Sequence, residues 1–152
     1  MPFAVVLYLD EPTSRAIEKV QAAIVDAGLS PDTHVLDFQP HITLAIGEKL
    51  DVAGFEPYLR EFAAATPPLD LCFASLATFA PEPKVLFLAP DNSSDLLTMH
   101  QRFYPRFDQF ATEPWDYYLP GRWIPHCTVA DGLRPEDVAR ALDLCSPLKL
   151  PI

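Results

Sequence analysis

Two histidines in this chain stand in nearly the same local sequence. Residues 38–45 read FQPHITLA and residues 123–130 read WIPHCTVA, so both follow the pattern aromatic, any residue, proline, histidine, any residue, threonine, aliphatic, alanine. Each segment carries a histidine with a threonine two positions later: His41 with Thr43, and His126 with Thr128. Since the chain has only four histidines, two of them in matched surroundings indicate a shared role.

Such a set of side chains suits the cleavage of a phosphate ester. An unperturbed histidine titrates near about 6.5, so at neutral pH one ring can accept a proton while its twin donates one. The reaction needs a base for the attacking hydroxyl group and an acid for the leaving oxygen. Threonine hydroxyl groups can donate hydrogen bonds to the non-bridging phosphate oxygens and stabilise the charge of the transition state. We therefore take His41, Thr43, His126 and Thr128 as the catalytic candidates.

Strand geometry explains how each histidine and its threonine would face one site. Side chains alternate between the two faces of a strand, so residues two apart point the same way. The residue that follows each of these histidines and threonines points to the opposite face, and that face is uniformly apolar and should pack on the core: Ile42, Leu44, Cys127 and Val129. We expect the two strands to lie side by side, with four polar groups converging on one pocket.

With these segments the sequence resembles the two-histidine phosphoesterase superfamily, whose 2′-5′ RNA ligase and cyclic-phosphodiesterase members carry two H-x-T-x motifs. The stretch between the motifs is also similar to that family, at residues 74–79 (ASLATF) and 84–88 (KVLFL). The resemblance implies a bilobal, pseudo-symmetric α+β fold, with antiparallel sheets flanked by helices and a central cleft. It covers nearly the whole chain, so we expect residues 1–152 to form a single two-lobed phosphoesterase domain.

The resemblance also implies roles and a reaction. It makes the two motif histidines the acid/base pair and the two motif threonines the phosphate holders. Two further residues become substrate-binding candidates: Phe79, whose ring could stack on a base, and Arg122, which shares strand parity with His126. Members open 2′,3′-cyclic phosphates or cleave 2′-5′ linkages without a metal. We therefore expect a cofactor-free phosphodiesterase of RNA processing, acting on a small nucleotide or an RNA end.

Other interpretations of the same residues remain open. The two histidines could be structural, or could join His34 and His100 in a zinc site, although neither of those stands in a recognisable motif. His100 is more typical of a satisfied core or rim histidine, and His34 of a loop. A Cys127–His126 nucleophile pair conflicts with strand alternation, because neighbouring side chains diverge. A non-catalytic nucleotide- or RNA-end-binding module would keep the pocket without the chemistry. Ligation, the reverse reaction at the same site, is a third alternative.

Composition restricts the possible binding partners and the cellular compartment of the protein. The formal net charge is −10, and the 11 lysines and arginines are scattered, which argues against duplex nucleic acid as a partner. The longest apolar stretch, residues 3–9, is far shorter than a membrane helix requires. Three cysteines without a C-x-x-C pair favour a reducing compartment. We expect a cytoplasmic monomer with no membrane contact.

The elements that would position these residues follow from apolar periodicity and from the turn and cap residues. They give the order β-α-β-α-β-β-α-β-α-β. The predicted strands are 3–10, 41–46, 69–79, 84–88, 123–130 and one that begins at Leu148. The predicted helices open near Pro12, near Asp51 or Phe55, near Ser93 or Ser94, and at Pro135. We expect the second helix to bury Phe55, Leu59 and Phe62, and Pro105 to kink or end the third.

Overall fold

The computed structural model describes residues 1–31, 36–91 and 93–152. Its compact parts are two units of discontinuous chain. The first unit contains the described residues of Met1–Val6, Thr43–Leu71 and Asn92–Pro125, and the second contains those of Leu7–Ile42, Cys72–Asp91 and His126–Ile152. Within the described residues each unit has a three-stranded sheet and two α-helices. The α+β class is therefore confirmed.

The first unit contains most of the sheet β1-β2-β5. The strands of this sheet are β1 (Phe3–Tyr8), β2 (His41–Leu50) and β5 (Ala111–Pro114). β5 runs antiparallel to β2, with Gly47 opposite Pro114 and Leu50 opposite Ala111. The sequence predicted β2 only as far as Ile46 and did not predict β5. β5 is short, and pairing with the distant second half of β2 defines it.

Helices α2 (Val52–Ala65) and α3 (Ser94–Asp108) complete the first unit. Phe55 of α2 meets Phe103 and Phe107 of α3 edge-on, at ring centroid distances of 6.2 and 5.7 Å. Of the three residues that α2 was predicted to bury, Phe55 is fully buried, whereas Leu59 and Phe62 are only half-buried. α3 continues past Pro105 to Asp108, so that proline does not end the helix.

The second unit is built on the sheet β3-β4-β6. Its strands are β3 (Cys72–Thr78), β4 (Lys84–Asp91) and β6 (Cys127–Leu133), with both neighbouring pairs antiparallel. Helices α1 (Glu11–Asp26) and α4 (Val138–Leu144) belong to this unit, and α1 packs against both β6 and α4. As predicted, α1 has a proline in its first turn, and Gly28 follows its end with φ of 68°.

The two predicted strands nearest the C-terminus differ most from the observed structure. The strand predicted over 123–130 begins at Cys127, because Trp123 N–H bonds to Leu119 O in a preceding turn and Pro125 has no N–H to offer a sheet. The final strand predicted from Leu148 onwards is not formed, because Leu148 ends a 3₁₀ turn (Ser146–Leu148) and Lys149 follows with φ of 50°. Ile152 alone behaves like a strand residue, exchanging two backbone hydrogen bonds with Phe73.

Candidate active site

His41 is the first residue of β2 and belongs to the second unit. Its side chain is half-buried, and its Nδ1 lies 2.8 Å from the backbone oxygen of Gln39. A carbonyl oxygen can only accept a hydrogen bond, so this contact requires a proton on Nδ1. In the neutral ring the basic lone pair is therefore on Nε2. The contact selects the tautomer that a general base needs.

The residues just before His41 are fixed by hydrogen bonds. Gln39 Nε2 donates to Leu9 O at 3.1 Å and to Ser14 Oγ at 3.3 Å. Leu9 N–H donates to Pro40 O at 3.4 Å. The carbonyl that orients the His41 ring is thus tied to the end of β1 and the start of α1.

His126 immediately precedes β6, and its ring is packed between two phenylalanines. The Phe79 ring meets it edge-on, with centroids 4.9 Å apart and planes at 88°, and the Phe87 ring lies 5.4 Å away. Phe79 and Phe87 also contact each other at 4.4 Å. Edge-to-face pairs are favourable because the positive edge of one ring meets the negative face of the other, and the contacts restrict the orientation of each ring. Phe79, predicted to stack on a base, thus contacts a predicted catalytic histidine.

The two motifs meet in the second unit. The Cys127 thiol is hydrogen-bonded to the backbone of His41, and a cavity of about 50 Å³ is lined by residues of both motifs. The lining residues are Gln21, Phe38, Gln39, Pro40, His41 and Thr128. Strand alternation holds as predicted, since Cys127 and Val129 are buried while Thr128 is half-buried.

Cys127 is not a nucleophile. Its side chain is 0% exposed, and burial raises the pKa of the thiol to about 12, outweighing the opposing hydrogen bond from the His41 backbone. The reactive form of cysteine is the thiolate, which this environment disfavours. The sequence interpretation of Cys127 as a small core residue is confirmed.

Gln21 is a site residue that the sequence analysis missed. It lies in the apolar face of α1, beside Ile17, Val20 and Ile24, and is 3% exposed. Its Nε2 donates to Thr128 O at 3.1 Å, while its Oε1 has no hydrogen-bond partner among the described residues. An unpaired buried amide oxygen costs about 1–3 kcal/mol. The signal in the sequence was a single amide among apolar helix positions.

Thr43 belongs to the first unit, and its side chain and its carbonyl oxygen are both engaged there. Its side chain hydrogen-bonds the Tyr118 hydroxyl, and its carbonyl oxygen accepts from Trp123 Nε1 at 2.9 Å. Its predicted role as a phosphate holder stays a prediction.

His100 is a structural histidine of the first unit, as predicted. It is 1% exposed, its ring stacks on Trp123 at 4.0 Å, and its Nε2 lies 3.0 Å from Leu44 O. Burial lowers the pKa of His100 against the opposing effect of backbone hydrogen bonds to Leu44 and Tyr118. His34 lies outside the described residues. Within the described part of the chain, no three His, Cys, Asp or Glu side chains cluster as metal ligands.

Arg122 is exposed and lies in a turn, with its N–H bonded to Leu119 O at 2.9 Å. Its guanidinium Nη1 is 3.4 Å from Asp116 Oδ2. Because residues 123–126 are not a strand, the parity argument that linked Arg122 to His126 is wrong. Its substrate-binding role stays a prediction based on resemblance.

A wider groove of about 540 Å³ lies in the same unit and shares Gln21, Phe38 and Gln39 with the small cavity. Its other lining residues are Glu11, Ser14, Arg15, Glu18, Leu36 and Asp37. Three carboxylates against one arginine, itself paired with Glu11, make this wall acidic. Such a wall disfavours a second phosphate group.

The α+β fold is the one expected of the two-histidine phosphoesterase superfamily, and comparison with known proteins agrees. The 2′-5′ RNA ligase superfamily matches residues 48–152, a range that includes His126 and Thr128 but not His41 and Thr43. Because this match covers more than half of the chain, the protein belongs to the 2′-5′ RNA ligase superfamily. The predicted family is confirmed.

Three bacterial relatives, each named "putative phosphoesterase", are similar to this chain. The protein from Geobacillus kaustophilus is 27% identical over 78% of this chain and 65% of its own length. Those from Bacillus licheniformis and Bacillus pumilus are each 25% identical, over 64% and 73% of this chain and 56% and 61% of their own lengths. The chain thus matches roughly three fifths of each relative. None of its described helices has the length and apolar character needed to cross a membrane.

Proposed function

We propose that this protein is a metal-independent phosphodiesterase that opens 2′,3′-cyclic phosphates or cleaves 2′-5′-linked nucleotide phosphates. The observation that carries the proposal is the cavity that His41 shares with Thr128 of the other motif. Membership of the 2′-5′ RNA ligase superfamily and the names of the relatives support phosphoester chemistry.

His41 is the proposed general base. Its Nδ1 is committed to Gln39 O, so Nε2 takes the proton from the attacking group. His126, held by Phe79 and Phe87, is the proposed acid that protonates the leaving oxygen. The hydroxyl groups of Thr128 and Thr43 are the proposed donors to the non-bridging oxygens, and Arg122 is a proposed contact to the rest of the substrate.

Charge limits the substrate. The chain carries a net charge of −10, and the groove beside the cavity is lined by Glu11, Glu18 and Asp37. Long polyanions would be repelled on approach. A small cyclic nucleotide, or an RNA end with one reacting phosphate, is therefore the proposed substrate class.

The test is turnover in EDTA on 2′,3′-cyclic nucleotides of each base and on 2′-5′-linked dinucleotides. His41→Ala and His126→Ala should each lower turnover roughly 10²–10⁴-fold. His100→Gln is the matched control, because it replaces a buried histidine outside the site and should retain turnover. If EDTA abolishes turnover and zinc restores it, the metal-independent mechanism is wrong. Binding without turnover across the whole panel would instead make the chain a nucleotide-binding module.

A further inference from the structure

The orientation of the Gln21 amide is fixed by chemistry. Its partner Thr128 O can only accept a hydrogen bond, so the amide nitrogen must face it, at 3.1 Å. The Gln21 oxygen therefore points elsewhere, and it has no partner among the described residues although the side chain is 3% exposed. This buried oxygen is an acceptor that requires a donor.

The cavity that Gln21 lines has room only for a very small hydrogen-bond donor. Its volume of about 50 Å³ is enough for a water molecule but not for a nucleotide. His41 lines the same cavity, and its Nε2 is an acceptor in the neutral ring because Nδ1 holds the proton. Gln39, another lining residue, already donates its amide to Leu9 O and Ser14 Oγ. Two acceptors of this kind call for a molecule with two donor hydrogens.

We propose that Gln21 positions the nucleophilic water of the phosphoesterase reaction, by accepting one of its hydrogens while His41 accepts the other. This inference rests on the proposed function and deepens it, because it assigns the reaction to hydrolysis. Gln21 is a positioning residue. The Gln21 amide nitrogen donates to the backbone oxygen of Thr128, the proposed phosphate holder. The contact between α1 and β6 therefore fixes Gln21 relative to Thr128, and His41 lines the same cavity.

The chemical step balances as follows. The water oxygen forms a bond to phosphorus while the bond from phosphorus to the leaving oxygen breaks. His41 Nε2 takes one water proton, and the acid, His126 in the proposed function, gives a proton to the leaving oxygen. The second water hydrogen, held by Gln21 Oε1, remains on the new phosphate oxygen. No oxidant, reductant or metal is needed.

A water molecule and an alcohol differ in the number of hydrogens that they can donate to these two acceptors. An alcohol has a single O–H, which it can donate to His41 or to Gln21 but not to both. Gln21 therefore favours water over an alcohol as the nucleophile, because the attacking alcohol leaves the buried oxygen unpaired. Removing the acceptor should relax that preference, whatever it does to the overall rate.

The test is the partition between two products when a 2′,3′-cyclic nucleotide is opened in water containing methanol. Hydrolysis gives a nucleoside monophosphate and methanolysis gives its methyl ester, and their ratio does not depend on how much enzyme is active. Gln21→Leu should raise the methanolysis-to-hydrolysis ratio about fivefold or more over wild type. Gln21→Met, which keeps the unbranched shape, provides the same comparison if the leucine variant does not fold.

Ser30→Ala is the matched control, because Ser30 is also a buried polar residue that donates to a backbone oxygen of β6, Asp131 O at 2.5 Å, and does not line the small cavity. Its product ratio should equal that of wild type. An unchanged ratio in both Gln21 variants would overturn the role of Gln21 while leaving the proposed function intact. If wild type neither opens a 2′,3′-cyclic phosphate nor cleaves a 2′-5′ linkage, the proposed function fails and this inference fails with it.

Discussion

The thiol of Cys127 is hydrogen-bonded to the backbone of His41. Cys127 follows His126 directly, so this buried contact joins the first residue of β2 to the first residue of β6, and it ties the two histidine motifs together. The buried Cys127 side chain thus links the two motifs in addition to packing in the core. His41 of one motif and Thr128 of the other line the same cavity in the second unit.

Phe79 should act by positioning His126 rather than by stacking on a base. Its ring already contacts His126 at 4.9 Å and Phe87 at 4.4 Å. Phe79→Ala should therefore lower kcat about tenfold or more, because a small displacement of a catalytic group is costly, and should change KM little. Steady-state kinetics with a 2′,3′-cyclic nucleotide separate the two parameters. A raised KM with an unchanged kcat would show that Phe79 stacks on the base. Tyr117→Ala, at a ring that is 80% exposed, is the control.

Alkylation should distinguish the three cysteines. Burial raises the pKa of Cys127 to about 12 and that of Cys145 to about 11, whereas Cys72 is exposed. At pH 8 iodoacetamide should modify Cys72 alone in the folded protein, because the thiolate is the reactive form. Mass spectrometry should find one adduct under native conditions and three in denaturant. Native modification of Cys127 at the rate of Cys72 would contradict the buried arrangement.

His100 should make stability depend on pH. Burial lowers its pKa in the folded chain below the ordinary value of 6.5. As pH falls below 6.5, the unfolded chain binds a proton that the folded chain does not, so the free energy of unfolding decreases until the pH reaches the lowered pKa. The glutamine in the His100→Gln variant binds no proton in this range. The free energy of unfolding of the variant, measured by denaturant unfolding between pH 7 and pH 5, should therefore decrease less than that of wild type. Identical pH dependence in both proteins would mean that His100 does not titrate in this way.

The two motifs and their strand alternation could be predicted because a period of two and a repeated residue pattern are local properties. The second strand and the buried side of Cys127 follow from the same reasoning, and the first helix follows from the helical spacing of its apolar residues between Pro12 and Gly28. β5 could not be predicted, because four residues that include Glu113 with φ of 52° become a strand only by pairing with β2. The final strand failed because Lys149 leaves the extended conformation.

Gln21 shows the limit of reading a site from its motifs. Its position within an apolar helix face is visible in the sequence, but nothing local connects it to Thr128, which is far away in the chain. Only the packing of α1 on β6 brings the amide to the cavity. Arg122 shows the reverse error, since a strand parity was assigned to residues that form a turn.

The central claim is that His41 and His126 act on the same phosphorus atom, and a double-mutant cycle tests it most directly. Turnover of a 2′,3′-cyclic nucleotide would be measured for wild type, His41→Ala, His126→Ala and the double variant. Groups that act in one transition state are not additive, so the double variant should be nearly as active as the slower single variant. A loss equal to the product of the two single losses would contradict the claim.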